Sequence, residues 1–276
     1  MRSVPAFLAA FVLLATSVAP ATADPRTVLA PHRAVYDVTL DEASQRSGIT
    51  AIKGRMVYES RGGACEGISV RFRFFQQVRT PRREYSSDQR TTTFETAAAD
   101  RFDFVTRTFF NGSKEREVKG TATRDADGTV IELDPDVKGP ISTVPAIFPS
   151  QHLAAVIEAA KAGKRIFAAD VFDGSDDGDE VMSTTAIIGR PHAPDASVVA
   201  NAVEAKKLAD LRSWPVSIAY FSGRPSASGE RLPVYQVSFA LFENGVSGDL
   251  TMRYEDYTLK AAMKDLEYLD RPACAN

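Results

Sequence analysis

Three histidines, His32, His152 and His192, are the side chains best suited to acid–base chemistry or metal binding near neutral pH. Ser150 stands two positions before His152, which pairs a potential nucleophile with a potential base. No nucleophile-elbow pattern accompanies this serine, and the chain has no H-E-x-x-H motif. Capping, turn or strand-end positions account for the histidines. The sequence therefore predicts no catalytic residue, no metal site and no cofactor, and a protein that is not an enzyme.

The densest acidic stretch, residues 173–180 (DGSDDGDE), superficially resembles a calcium-binding loop. Its oxygen ligands would come from Asp173, Ser175 and Asp177, with Gly178 at the turn. The closing position is Thr184, where such a loop requires a bidentate glutamate. A solvated turn between two strands is the favoured interpretation, and calcium binding is the alternative.

A cluster of arginines lies in the N-terminal half of the chain. If Phe72 and Phe74 face the core, Arg71 and Arg73 line the opposite strand face, beside a loop that carries Arg82 and Arg83. Guanidinium groups form bidentate bonds with phosphate, so these four arginines are a candidate anion-binding site for lipid headgroups or lipopolysaccharide. The alternative is a solvated strand face that is balanced by nearby carboxylates.

Cys65 and Cys274 are the two cysteines of the chain. In an oxidising compartment an isolated pair typically forms a structural disulfide. That bridge would close a loop of about 210 residues and contribute ~5 kcal/mol in the chain-entropy model. A catalytic or metal-binding pair is the alternative, but the C-x-x-C spacing is absent.

The N-terminal segment has the pattern of a secretory signal peptide. Arg2 gives a positive start, residues 6–15 form an apolar run, and Ala21-Thr22-Ala23 fits a cleavage site before Asp24. No cysteine stands directly after the run, so we expect export to the periplasm without lipidation. A net charge of −3 gives no sign of nucleic-acid binding.

Alternation of apolar and polar residues dominates the rest of the chain and predicts roughly a dozen strands. They include Ser247–Tyr254 and Tyr257–Tyr268, and Asn111-Gly112 predicts a hairpin turn. A proline-punctuated stretch after Leu133 interrupts them, and residues 150–162 then predict a helix with Leu153, Val156, Ile157 and Ala160 on its buried side. Residues 198–209 are a weaker helix candidate. Because the cysteines lie on opposite sides of the central helix, a bridge would close residues 24–276 into a single domain, a large curved antiparallel sheet with one or two packed helices.

Four segments in this order resemble the EipB-type cell-envelope integrity family of alphaproteobacteria. They are His32-Arg33-Ala34-Val35-Tyr36, Phe172-Asp173-Gly174, residues 214–221 (WPVSIAYF), and Tyr257-Thr258-Leu259 leading to Cys274. The resemblance implies a periplasmic β-spiral, or broken barrel, in which Cys65 and Cys274 are bridged. It also implies a role in keeping the Gram-negative envelope intact under stress and a periplasmic tetratricopeptide-repeat protein as an associate. It supplies no catalytic residues.

The favoured function is therefore that of a non-enzymatic periplasmic factor for envelope integrity. It would bind a protein partner or an envelope lipid in a concavity of its sheet, which aromatic alternating strands can line. A periplasmic hydrolase acting on an envelope component and a purely structural scaffold are the alternatives.

Overall fold

The structure is a computed structural model that describes residues 29–63, 65–134, 140–175, 177–192, 206, 208–222 and 232–271. The described part contains fourteen strands, one α-helix and a short 3₁₀ helix at Gln45–Ser47. The strands are β1 His32–Ala43, β2 Ala51–Gly63, β3 Gly67–Arg79, β4 Glu84–Glu95, β5 Arg101–Phe110, β6 Ser113–Arg124, β7 Thr129–Asp134, β8 Ile141–Thr143, β9 Ile166–Val171, β10 Met182–Ile188, β11 Ser213–Phe221, β12 Tyr235–Phe242, β13 Ser247–Tyr254 and β14 Tyr257–Tyr268; helix α1 is Pro149–Lys161.

All fourteen strands belong to one antiparallel sheet, in the order β8-β7-β6-β5-β4-β3-β2-β1-β14-β13-β12-β11-β10-β9. Strand β1 lies near the middle of this order, where it pairs with β2 on one side and with β14 on the other. His32 accordingly lies opposite both Ser60 and Tyr268. The first and last of the described strands are thus joined inside the sheet, and its two edges, β8 and β9, come from the middle of the sequence.

The segment before α1 spans the gap between the two edges. The backbone N–H of Ala146 donates to Thr129 Oγ1 on β7 (3.0 Å). The next residue, Ile147, exchanges hydrogen bonds with β9, from its N–H to Asp170 (2.9 Å) and from the Phe172 N–H to its carbonyl (3.0 Å). The sheet therefore curves until both of its ends bond to this segment, but its edge strands β8 and β9 do not pair with each other.

Helix α1 packs against the inner face of β10–β12. Its residues Val156, Ile157 and Ala160 are buried against Trp214 and Leu241, while Leu153 is partly buried beside them. Pro149 begins the helix, and Gly163 follows it in the left-handed conformation at φ +73°. The predicted helix and its buried side are confirmed to within one residue at each end.

Two further apolar clusters complete the interior. One joins β1–β3 with β12–β14, through side chains such as Tyr36, Phe74 and Met263. The other brings the four rings of Phe102, Phe104, Phe148 and Phe172 together where the sheet edges approach one another.

The mainly β, curved and unclosed sheet with a packed helix is the predicted fold class. The sequence prediction omitted strands β4 and β8, and the helix predicted at 198–209 lies outside the described residues except at 206, 208 and 209. No helix in the described ranges is both long and apolar enough to cross a membrane.

Candidate functional site

A cavity of about 260 Å³ lies inside the sheet, between the first turn of α1 and the inner faces of β1–β3 and β11–β13. Period-two alternation turns His32 and Tyr36 of β1 inward. Met56 of β2, which is paired with Tyr36, and Tyr58, which is paired with Ala34, face the same cavity. Most of the wall is aromatic or aliphatic. Its polar members include His32, His152, Asp173, Tyr36, Tyr58 and Tyr220.

His32 lies on the β1 wall of the cavity and is 4% exposed. Its Nδ1 is 2.7 Å from the carbonyl oxygen of Ala30, and its ring lies 5.4 Å from the ring of Tyr58. Burial lowers the pKa of His32, and the bond to Ala30 offsets only part of this effect. The ring is therefore neutral near pH 7.

His152 lies on the α1 wall and is also 4% exposed. Its Nε2 is 3.1 Å from Thr184 Oγ1 on β10, and burial lowers the pKa of His152 to about 4. The neighbouring Ser150 bonds to Glu95 instead. The serine and the histidine therefore do not form a nucleophile–base pair.

Glu95, at the end of β4, caps α1 from outside the helix. It is 4% exposed and accepts hydrogen bonds from the backbone N–H of Ser150 (2.8 Å) and from the Ser150 hydroxyl. Burial raises the pKa of Glu95, and these bonds act in the opposite direction. The carboxylate occupies the N–H groups of the first turn, which fixes the end of α1 that faces the cavity.

The tyrosine hydroxyls place further polar atoms on the inner surface. Tyr36 donates to the backbone carbonyl of Ser247 (2.8 Å), and burial raises the pKa of Tyr58 to about 12. The rings of Tyr220 and Tyr235 stack at 4.3 Å, and the Tyr235 ring continues to Tyr254. The β11–β13 wall is therefore aromatic with neutral hydroxyl groups.

The acidic stretch connects strands β9 and β10, as the sequence predicted, but its described residues are only partly solvated. Asp173 lies on the cavity wall and accepts a hydrogen bond from the Ser175 N–H (2.9 Å). Gly178 is buried beside Phe104, and Asp177 forms an ion pair with Arg116. Within the described ranges, no group of three or more acidic, histidine or cysteine side chains is arranged to hold a metal ion.

The four candidate anion-binding arginines are not brought together. Arg71 and Arg73 lie on the exposed face of β3, whereas Arg82 and Arg83 lie in the turn that follows it. Because a strand rises ~3.3 Å per residue, about 20 Å separates Arg73 from the end of β3. Asp88 also binds Arg73 in a bidentate ion pair (2.8 Å). Arg71, Arg82 and Arg83 are exposed and have no ion pair among the described residues, whereas Arg73 is paired with Asp88.

His192 and Cys65 are not among the residues that line the cavity. His192 is exposed and forms an isolated bridge with Ser213. Cys65 lies in the turn between β2 and β3, and Cys274 lies outside the described residues, so the bridge stays a prediction. A Cβ atom placed on Gly63 would lie 4.0 Å from Cγ of Arg271. The chain beside Cys65 therefore lies close to Arg271, the last described residue.

Comparison with known proteins identifies the family. The family model described as EipB-like matches residues 23–270. The chain belongs to the EipB-like family. Cell envelope integrity protein EipB of Brucella abortus (strain 2308) is 38% identical over 246 residues, 88% of this EipB-like chain and 85% of that protein. A crystal structure from Brucella abortus, described as a beta-barrel-like protein of domain of unknown function DUF1849, matches with a TM-score of 0.82 at 36% identity, covering 88% of this chain and 100% of that one.

The family and fold predicted from the sequence are confirmed by these matches. The cavity of this EipB-like protein was not predicted residue by residue. Alternation indicates that Tyr36 and Tyr58 face inward, but it does not show which inward side chains enclose empty space. That depends on pairing between β1 and β14, which are more than 200 positions apart in the chain.

Proposed function

We propose that this EipB-like protein acts in the periplasm to maintain envelope integrity, by holding an amphiphilic envelope molecule in its internal cavity. The observation that carries the proposal is the cavity itself, an aromatic-lined space of about 260 Å³ with a few polar groups on its wall. Ligand sites are typically concave, mainly apolar and supplied with a small number of polar groups. The name of the Brucella relative, cell envelope integrity protein, supports the cellular role.

The arrangement of the polar groups favours binding over turnover. Hydrolysis requires an activated nucleophile or a metal-bound water. The Ser150 hydroxyl is bound by the Glu95 carboxylate, and the His152 ring is bound by Thr184. Each group thus stabilises the packing of α1 against the sheet.

Filling the cavity tests the proposal. Leu250 lies on the cavity wall, so Leu250→Trp would occupy space that a ligand needs. Leu232 is 72% exposed, and Leu232→Trp is the matched control. In a strain lacking the native gene, we expect the control to restore resistance to detergent and Leu250→Trp to fail at equal protein abundance.

A second cavity variant helps to distinguish loss of ligand binding from misfolding. Ile218→Phe adds less volume at another wall position, and thermal unfolding of both purified variants shows whether they fold. Full restoration of detergent resistance by folded Leu250→Trp and Ile218→Phe would contradict the proposal.

We propose in addition that the outer face receives a protein partner, for which the family resemblance suggests a periplasmic tetratricopeptide-repeat protein. Ile166 on edge strand β9 and Ile187 on β10 are cross-strand neighbours, 64% and 59% exposed. An exposed apolar pair at a sheet edge suits protein contact. Ile187→Asp should reduce co-purification of such a partner from cross-linked cells, and Leu232→Asp should not; equal recovery with both variants would contradict this docking position.

A further inference from the structure

The orientation of the two buried histidines restricts what the cavity can hold, and this inference rests on the proposed binding function. The carbonyl oxygen of Ala30 can only accept, so His32 Nδ1, at 2.7 Å, carries the hydrogen. The neutral ring then has a bare lone pair on Nε2. His32 therefore offers its second nitrogen as a hydrogen-bond acceptor.

The same deduction applies to His152 through Thr184. The Thr184 hydroxyl donates its single hydrogen to the carbonyl oxygen of Ala169 (2.8 Å). Thr184 Oγ1 must therefore accept from His152 Nε2, which carries the hydrogen. The lone pair of His152 is left on Nδ1.

Both lone pairs face open space. Among the described residues, no buried side-chain nitrogen or oxygen lacks a hydrogen-bond partner. No second bond is present at His32 Nε2 or His152 Nδ1 in that part of the chain, so neither atom is sealed within the protein. The open space that both rings line is the internal cavity.

The Tyr36 hydroxyl adds a third acceptor to the wall. The hydrogen of the Tyr36 hydroxyl is given to the Ser247 carbonyl, which leaves this oxygen as an acceptor. The charge of Asp173 raises the pKa of nearby Tyr220, although burial contributes more. No Lys or Arg is among the described residues that line the cavity. His32, His152 and Tyr36 thus each present an acceptor to the cavity.

We propose that the cavity selects an uncharged amphiphile whose polar end donates hydrogen bonds, such as a hydroxyl-bearing lipid fragment, and rejects an anionic head such as a carboxylate or phosphate. A hydroxyl group satisfies an imidazole lone pair, whereas an ether leaves it unpaired. A carboxylate brings only further acceptors and must also lose its hydration.

Three probes with matched chains test the selection by titration calorimetry at pH 7.5: 1-octanol, methyl heptyl ether and octanoate. The cavity of about 260 Å³ has the volume of about nine molecules of liquid water, which suits chains of this length. We expect 1-octanol to bind about tenfold more tightly than the ether, the effect of one satisfied buried hydrogen bond. Octanoate should bind at least about tenfold more weakly than 1-octanol.

The double variant His32→Leu, His152→Leu should bring 1-octanol and the ether to within about twofold of each other, while His192→Leu should keep the native ratio. Octanoate binding as tightly as 1-octanol, or equal binding of 1-octanol and the ether to the native protein, would overturn the selection and leave the binding function standing. These two results need no variant, so a failure of the double variant to fold does not affect them. Absence of binding by all three probes would overturn the proposed binding function and the selection together.

Discussion

His152 on α1 donates from Nε2 to Thr184 Oγ1 on β10 over 3.1 Å, while the Thr184 hydroxyl donates to Ala169 on β9. This chain of two bonds joins the helix to two neighbouring strands near one edge of the sheet. It fixes the tautomer of an imidazole that lines the cavity. Because burial keeps the His152 ring neutral in the folded protein, the free energy of unfolding depends on pH.

We expect the free energy of unfolding to fall in mild acid because of His152. Its folded pKa of about 4 lies below the ordinary value of 6.5, so below pH 6.5 the unfolded state takes up a proton that the folded state refuses. The neutral His152 ring makes its full contribution to stability above pH 6.5. This contribution is lost as the pH falls towards 4, and the loss at pH 4.5 is about 2–3 kcal/mol. His152→Gln, which does not titrate, should remove this part of the loss in denaturant titrations between pH 7.5 and 4.5.

The matched control is His192→Gln, since His192 is exposed. It should follow the native pH dependence. Parallel curves for the native protein and His152→Gln would show that the buried imidazole is not the group responsible.

Removal of the Glu95 cap should destabilise the protein. Glu95→Ala leaves the N–H and hydroxyl of Ser150 without their acceptor, at a cost of about 2 kcal/mol in unfolding free energy. Glu84→Ala removes a carboxylate in an exposed ion pair with Arg79 and should change stability by less than about 0.5 kcal/mol. Chemical denaturation compares the two, and equal effects would mean that the cap does not stabilise α1.

Most of the strands were predictable because one face of each is apolar. Strands β13 and β14 match the predicted ranges, and the Asn111-Gly112 turn between β5 and β6 has positive φ at both residues. Strand β4 lacks this signal: Ser86, Ser87 and Gln89 offer no apolar period. It is a strand because β3 and β5 supply hydrogen bonds on both sides.

The candidate site was less predictable than the fold. The sequence marked His32 and His152 as chemically capable side chains but placed them at strand ends or caps. Their shared position on one cavity depends on the curvature of the sheet and on α1 lying inside it. The role of Glu95 was likewise hidden, because its partner Ser150 is 55 positions away along the chain.

The predicted disulfide is testable by thermal unfolding. Cys274→Ser should lower the midpoint by several degrees, since loss of such a bridge costs ~2–5 kcal/mol. The approach of Arg271 to Gly63 supports this pairing of Cys65 with Cys274. The double variant Cys65→Ser, Cys274→Ser should match the single variant. Two reactive thiols in the unreduced native protein, or an unchanged midpoint in the variants, would contradict the bridge.

The arginines should differ in their effect on binding to anionic vesicles. Arg82→Gln with Arg83→Gln should weaken association about tenfold at low salt, with little effect at high salt. Arg71→Gln with Arg73→Gln should have the smaller effect, because Asp88 already neutralises Arg73. Co-sedimentation with phosphatidylglycerol vesicles measures both. Equal binding by all three proteins would assign the arginines to a solvated face.

The most direct test of the central claim is native mass spectrometry of the protein purified from its own cells. We expect the native protein to carry one additional molecule of a few hundred daltons, and the Leu232→Trp variant to carry the same mass. The cavity-filled Leu250→Trp variant should have the mass of the bare chain. A bare mass for the native protein, or the same bound molecule in folded Leu250→Trp, would contradict ligand binding in the cavity.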